Sequence, residues 1–220
     1  MQTIPAEHFR HDDTSRYDET YINPLPVRIW HWANALGFIL LILTGFQIRY
    51  VGILNVMSFE TAVKTHNWVG FAVIANFLIW IVFYLFTDKI KVYHPELDAK
   101  KFFLNFFRQA RFYSYGIFKG EKSPHHVRPH DKFNPMQSMT YQILMLMVVP
   151  VQFFTGILMW DVKRFEDLIE VVGGLRVVST IHILVFILFV FFILVHAYMG
   201  ALGRKPSTHY KEMFTGYEED

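Results

Sequence analysis

The 220-residue chain is 53% hydrophobic and 18% aromatic, carries a formal net charge of +2 and contains no cysteine. That composition argues against an ordinary soluble domain. The missing thiols exclude disulfides, cysteine-ligated iron–sulfur clusters and haem attached through Cys-x-x-Cys-His. The apolar residues gather into four blocks, about Ile29 to Ile48, Trp68 to Phe86, Tyr141 to Trp160 and Ile181 to Leu202. Each is about 20 residues long, enough to cross a hydrocarbon core of ~30 Å. The expected fold is all-α: an integral-membrane four-helix bundle over residues 27–203, with spans at about 27–50, 66–87, 136–160 and 178–203.

In chain order, residues 1–26 form a polar tail with no apolar h-region, so no cleavable signal is expected before the first span. Pro24 and Pro26 can open that span but not sit inside it. Within it, Gly37 and Gly45 permit close approach of a neighbouring helix or a flat cofactor. Between spans two and three, Leu97 to Lys119 carries Ala99, Phe102, Phe103, Phe106, Phe107 and Ala110 at i, i+3, i+4 spacing. This predicts an amphipathic helix lying in the membrane interface or against a partner subunit. The SPHHVRPHDK stretch that follows reads as a solvated loop, whose His125, His126 and His130 could take a metal adventitiously. Pro150 should kink span three, and residues 204–220 form a second tail. No internal repeat stands out. Sixteen Lys and Arg residues lie in the two tails and the long middle connection, against five in the other two connections. The positive-inside rule therefore predicts cytoplasmic termini.

Of eleven histidines, His31, His66, His182 and His196 lie in or at the ends of spans, where a polar side chain is costly without a partner. His182 and His196 share span four, fourteen residues and about 21 Å of helical rise apart, so they face nearly the same way at two depths. With alternating helix directions, His31 falls level with His196 and His66 level with His182. Two level imidazole pairs are what two six-coordinate haems require. One shared zinc site is excluded, because its ligands must meet within about 2.0 to 2.3 Å of one point. Haem propionates would favour cations at the span ends, with Arg28 and Arg204 at the cytoplasmic side and Lys64 or Arg176 outside. Positive-inside anchoring explains the first two equally well.

The segments PVRIWHWANALGFILLILTG, THNWVGFAV and IHILVFILFVFFILVHAYMG resemble the bacterial di-haem cytochrome b superfamily. It includes the b-type subunits of nickel–iron hydrogenases, thiosulfate reductases and formate dehydrogenases. The resemblance covers about Pro24 to Gly203. It implies two haem b groups, with His66 and His182 as ligands of the outer one and His31 and His196 of the cytoplasmic one. It also implies a catalytic, iron–sulfur or cytochrome partner on the outer face and a quinone beside the cytoplasmic haem. KFNPMQ (Lys132 to Gln137) is similar to the K-x-N-x-x-Q of formate dehydrogenase gamma subunits. It is also similar to the G-H-N-P-x-x-Q of hydrogenase cytochromes, with Phe133 in place of that motif's His. Asn134 is thereby a candidate quinone contact, and a helix cap is its alternative role.

The function expected is electron transfer between a redox partner and the quinone pool in a bacterial inner membrane, among lipid and with no nucleic acid involved. The rival is a stand-alone membrane cytochrome b acting on a small oxidant or reductant such as superoxide. A transporter or haem-free anchor would instead show no Soret band.

Overall fold

The structure is a computed structural model that describes residues 20–87, 98–125, 133–201 and 207–218. Among the described residues, four helical runs are long and apolar enough to cross a membrane: Leu25–Arg49, Phe59–Leu85, Pro135–Trp160 and Leu175–Gly200. The first two are α1 and α2. The third is composite: α4 (Pro135–Ile143), one π-helical turn (Leu144–Val148) and α5 (Val149–Trp160). Pro150 has no N–H to give, so the wider turn just before it absorbs the mismatch expected as a kink. Short α6 (Glu166–Val172) leads into α7 (Leu175–Gly200). Gly173 and Gly174 between them have φ of 108° and 90°, a region that disfavours side chains.

The helix starts follow from local chemistry. Ser58 accepts the Thr61 N–H at 3.1 Å to cap α2, and Asp98 accepts the Lys101 N–H at 3.1 Å to cap α3 (Ala99–Ser114). These side chains satisfy donors left over at helix starts. The α2 and α7 helices begin earlier than their apolar runs suggest, so His66 and His182 lie two turns inside them.

The spans pair as two hairpins, α1 with α2 and α5 with α7. Close approach within the first is specific. A Cβ on Gly37 would meet Val73 Cγ2 at 2.5 Å. Trp30 Nε1 donates to the Asn76 carbonyl at 3.1 Å, and Asn76 Nδ2 donates back to the Trp30 carbonyl at 3.3 Å. Polar exchange of this kind holds helices together where lipid gives no hydrophobic drive. Buried Gln47 ties down the turn that follows, bonding the Met57 carbonyl and the Val56 N–H. Between the hairpins, contact concentrates at mid-depth. There Phe77, Leu144, Val149 and Phe189 form a core with Phe38 and Phe153 around it.

Helix α3 continues into a 3-10 turn at Gly116–Lys119. It packs its Gln109 and Phe112 face inward while Phe103, Leu104 and Phe107 stay exposed. At the end of the bundle where α1 begins and α7 finishes, here the terminal end, the chain closes on itself. Helix α8 (Thr208–Thr215) precedes β2 (Tyr217–Glu218), which pairs antiparallel with β1 (Thr20–Tyr21). Gly216, at φ 92°, admits the turn, since a Cβ there would lie 2.7 Å from the Asn23 carbonyl oxygen.

Candidate functional site

All four span histidines face the seam between the hairpins, and they meet as two pairs. At the terminal end, the ring centres of His31 on α1 and His196 on α7 are 6.1 Å apart. At the opposite, distal end, those of His66 on α2 and His182 on α7 are 6.4 Å apart. A direct N–H···N bond would bring imidazole centres to about 5 Å. Two metal–nitrogen bonds of about 2.0 Å, plus the ring radii, put them about 6.2 Å apart. Both pairs therefore fit an iron between the rings. No cluster of three or more His, Asp or Glu side chains suited to another metal occurs among the described residues. The level pairing expected from helix direction is what the structure shows, and each pair takes one imidazole from each hairpin.

The distal pair is built symmetrically. Thr44 of α1 lies 3.0 Å from His66 Nδ1 through Oγ1, and Thr155 of α5 lies 2.9 Å from His182 Nδ1. The residue after each threonine is a glycine that gives room for the ring. A Cβ on Gly45 would lie 3.3 Å from His66 Cε1, and one on Gly156 would lie 3.3 Å from His182 Cε1. Gly45 stands out in the sequence. The threonines do not, because each reads as one more tolerated polar residue in an apolar run. Their signal is a Thr-Gly dipeptide recurring in spans one and three. Gln152 was missed too. Its Nε2 lies 3.2 Å from His182 Nε2, while its Oε1 is buried without a protein partner. This amide must turn aside for an iron to reach His182.

The terminal pair is held from outside. Helix α8 bridges the two helices that carry it: Trp32 Nε1 donates to the Met213 carbonyl at 3.0 Å, and the Tyr210 hydroxyl donates to the Ala197 carbonyl at 2.7 Å. Phe214 stacks on Trp32 with ring centres 4.5 Å apart. Asn23 donates to Glu212 at 2.5 Å. Arg28 Nη1 donates to the Phe214 carbonyl, while its buried Nε has no protein partner. Within α7, Phe192 stacks on His196 at 5.6 Å.

The remaining candidates fall in different places. Asn134 is 3% exposed and forms a full capping box with Gln137, at 3.0 Å and 3.1 Å. Its Nδ2 donates to the Tyr113 hydroxyl at 2.9 Å. Burial pushes the Tyr113 hydroxyl pKa up, partly offset by hydrogen bonds from Gln109 and Asn134. Lys64 is committed to an exposed i, i+4 ion pair with Glu60 at 2.5 Å, a contact of small energetic value. Arg176 is exposed. Arg204, Lys132, His126 and His130 lie outside the described residues.

A four-span bundle with imidazole pairs at iron spacing defines a membrane b-type cytochrome. The profile of the prokaryotic cytochrome b561 family matches residues 23–216, and the chain belongs to that family. Haem b binding, electron transfer and a multi-pass place in a bacterial membrane follow from that membership. The chain is 31% identical over 206 residues to the putative cytochrome YdhU of Escherichia coli K12, covering 93% of this chain and 76% of that one. It is 21% identical over 191 residues to a probable Ni/Fe-hydrogenase B-type cytochrome subunit of Rhizobium leguminosarum bv. viciae, covering 82% and 80%. No solved structure matches.

Proposed function

We propose that the chain is a di-haem electron-transfer subunit linking a redox partner at the distal end to quinone at the terminal end. The observation that carries this reading is that both imidazole pairs span the seam at 6.1 Å and 6.4 Å, each suited to one iron. Haem b supplies reversible one-electron chemistry when bound. The chain contributes ligands at two depths, a dry seam and charge at the ends. Arg28, with a buried guanidinium nitrogen that no protein group takes, suits a propionate of the terminal haem, and Arg204 is a second candidate on sequence grounds alone. At the foot of span three, the Asn134 and Tyr113 pair offers an amide and a hydroxyl to a quinone carbonyl.

Lysine and arginine placement supports cytoplasmic termini, so the partner would be a catalytic, iron–sulfur or cytochrome subunit on the outer face. The name of the Rhizobium relative, a hydrogenase B-type subunit, supports an enzyme partner of that kind. Proton uptake at a cytoplasmic quinone site would then help build a membrane potential. A pyridine haemochrome assay on the purified chain tests the core of this: two haems per chain are expected, and one or none overturns the di-haem reading.

A further inference from the structure

The two hairpins repeat a pattern. Asn23-Pro24 opens span one and Asn134-Pro135 opens span three, and twenty-one residues on from each asparagine stands a Thr-Gly pair, Thr44-Gly45 and Thr155-Gly156. The pairs do the same work in three dimensions. Each threonine Oγ1 reaches the Nδ1 of a histidine on the next transmembrane helix of its own hairpin, at 3.0 Å and 2.9 Å, and each glycine faces the same ring's Cε1 at 3.3 Å. The distal pair thus lies where two copies of one two-helix unit meet.

The symmetry ends at mid-depth. The π-helical turn Leu144–Val148 adds a residue to span three, and its counterpart in α1 is plain α-helix. On the terminal side, the places that would match His31 and His196 hold Tyr141 or Gln142 and Trp80. Trp80 is packed against Trp30 and Phe77, with ring centres 5.7 Å and 5.8 Å away. The duplicated unit therefore keeps one shared imidazole site and one unshared one.

The threonines carry a directional consequence. The Thr44 hydroxyl lies 2.7 Å from the Leu40 carbonyl, and the Thr155 hydroxyl lies 2.8 Å from the Val151 carbonyl. A hydroxyl has one proton to donate, and a carbonyl can only accept it. The Oγ1 must then accept from the histidine, which puts the imidazole proton on Nδ1. The Gln152 amide agrees at His182, where it meets Nε2 as a donor meets a lone pair.

We infer that Thr44 and Thr155 are equivalent positioning residues that fix the Nδ1–H tautomer of His66 and His182 and thereby set the properties of the distal haem. The inference rests on the proposed di-haem reading. An Nδ1–H that donates makes the ligand more basic and favours the ferric state, so losing it should raise the midpoint potential.

The test uses the full chain in detergent, beginning with the haem content of the unaltered protein. Thr44→Val, Thr155→Val, their combination and both serine variants are then compared by potentiometric titration and low-temperature EPR. Each valine variant should keep two haems and shift the distal potential upward by a similar amount. The double variant should shift it further, and the terminal potential should not move. Serine should restore the original values. Should valine cost the distal haem, the serine variants decide: retention at the original potential upholds the assignment, and loss overturns it. Two haems with unmoved potentials, a shift in both haems, or a response to one threonine alone would overturn the inference while leaving the di-haem reading intact. A wild-type chain with no haem on His66 and His182 overturns both.

Discussion

The distal and terminal histidine pairs have nearly the same ring spacing but are held by different means. The distal pair is positioned within the spans, by threonine hydroxyls at 3.0 Å and 2.9 Å and by glycines that leave room for each ring. The terminal pair is positioned across the seam by α8, which bonds to α1 through Trp32 and to α7 through Tyr210. One site is fixed by its helices and the other by a segment that is not one of the spans. The distal site should therefore resist changes in the tails, and the terminal site should not.

The largest effects are expected at the four histidines proposed as ligands. His66→Ala and His182→Ala should each abolish the distal haem and spare the terminal one, with the reverse for His31→Ala and His196→Ala. Reduced spectra and haem stoichiometry check this. A general loss of stability would lower both haems together. If His31→Ala and His66→Ala removed the same spectral component, pairing by depth would be wrong.

The glycines come next. A Cβ at Gly45 or Gly156 already approaches the ring to 3.3 Å, and valine adds two methyl groups where nothing can yield except the imidazole. Gly45→Val and Gly156→Val should lower distal haem occupancy severalfold with the terminal haem retained. Equal loss of both haems would show a packing defect instead.

Weaker effects are expected at the clasp. Trp32→Phe and Tyr210→Phe each delete one hydrogen bond between α8 and a span, of net value about 1 kcal/mol. Each should reduce terminal haem retention on heating, the pair of changes more than either alone. An unchanged terminal haem in the double variant would mean that α8 only covers the site.

The span count, the four span histidines and their level pairing were legible in the sequence, because apolar length and 3.6-residue periodicity translate directly into depth and face. Gly45 was legible as a place of close approach. The threonines were not, since their role depends on which neighbouring helix brings its histidine alongside. The repeat between the hairpins is hidden in the sequence for a related reason. Asn-Pro and Thr-Gly are short, the residues between them differ, and only the shared contacts reveal equivalence. On its α1 side the clasp joins Trp32 to Met213, 181 positions apart, beyond the reach of any local pattern. Asn134 was legible in both its candidate roles, and the geometry gives it the cap.

The smallest effects separate those two roles. Asn134→Ala removes an N-cap, at about 1 kcal/mol, and takes one of two donors from Tyr113, leaving Gln109. Tyr113→Phe keeps the cap and removes the hydroxyl. Burial holds the Tyr113 pKa above its ordinary value of 10.0. Its protonated form is therefore favoured in the folded state. That stability is fully present below the unfolded pKa of about 10 and is lost as the pH rises through the folded value. Thermal unfolding of the haem-loaded chain should weaken above that pH in the wild type, and less steeply in Tyr113→Phe. Quinone turnover near neutral pH reads the other role. A drop in both variants with both haems retained assigns the pair to the quinone. A drop in Asn134→Ala that tracks its lower melting temperature, with Tyr113→Phe unchanged, assigns Asn134 to capping alone.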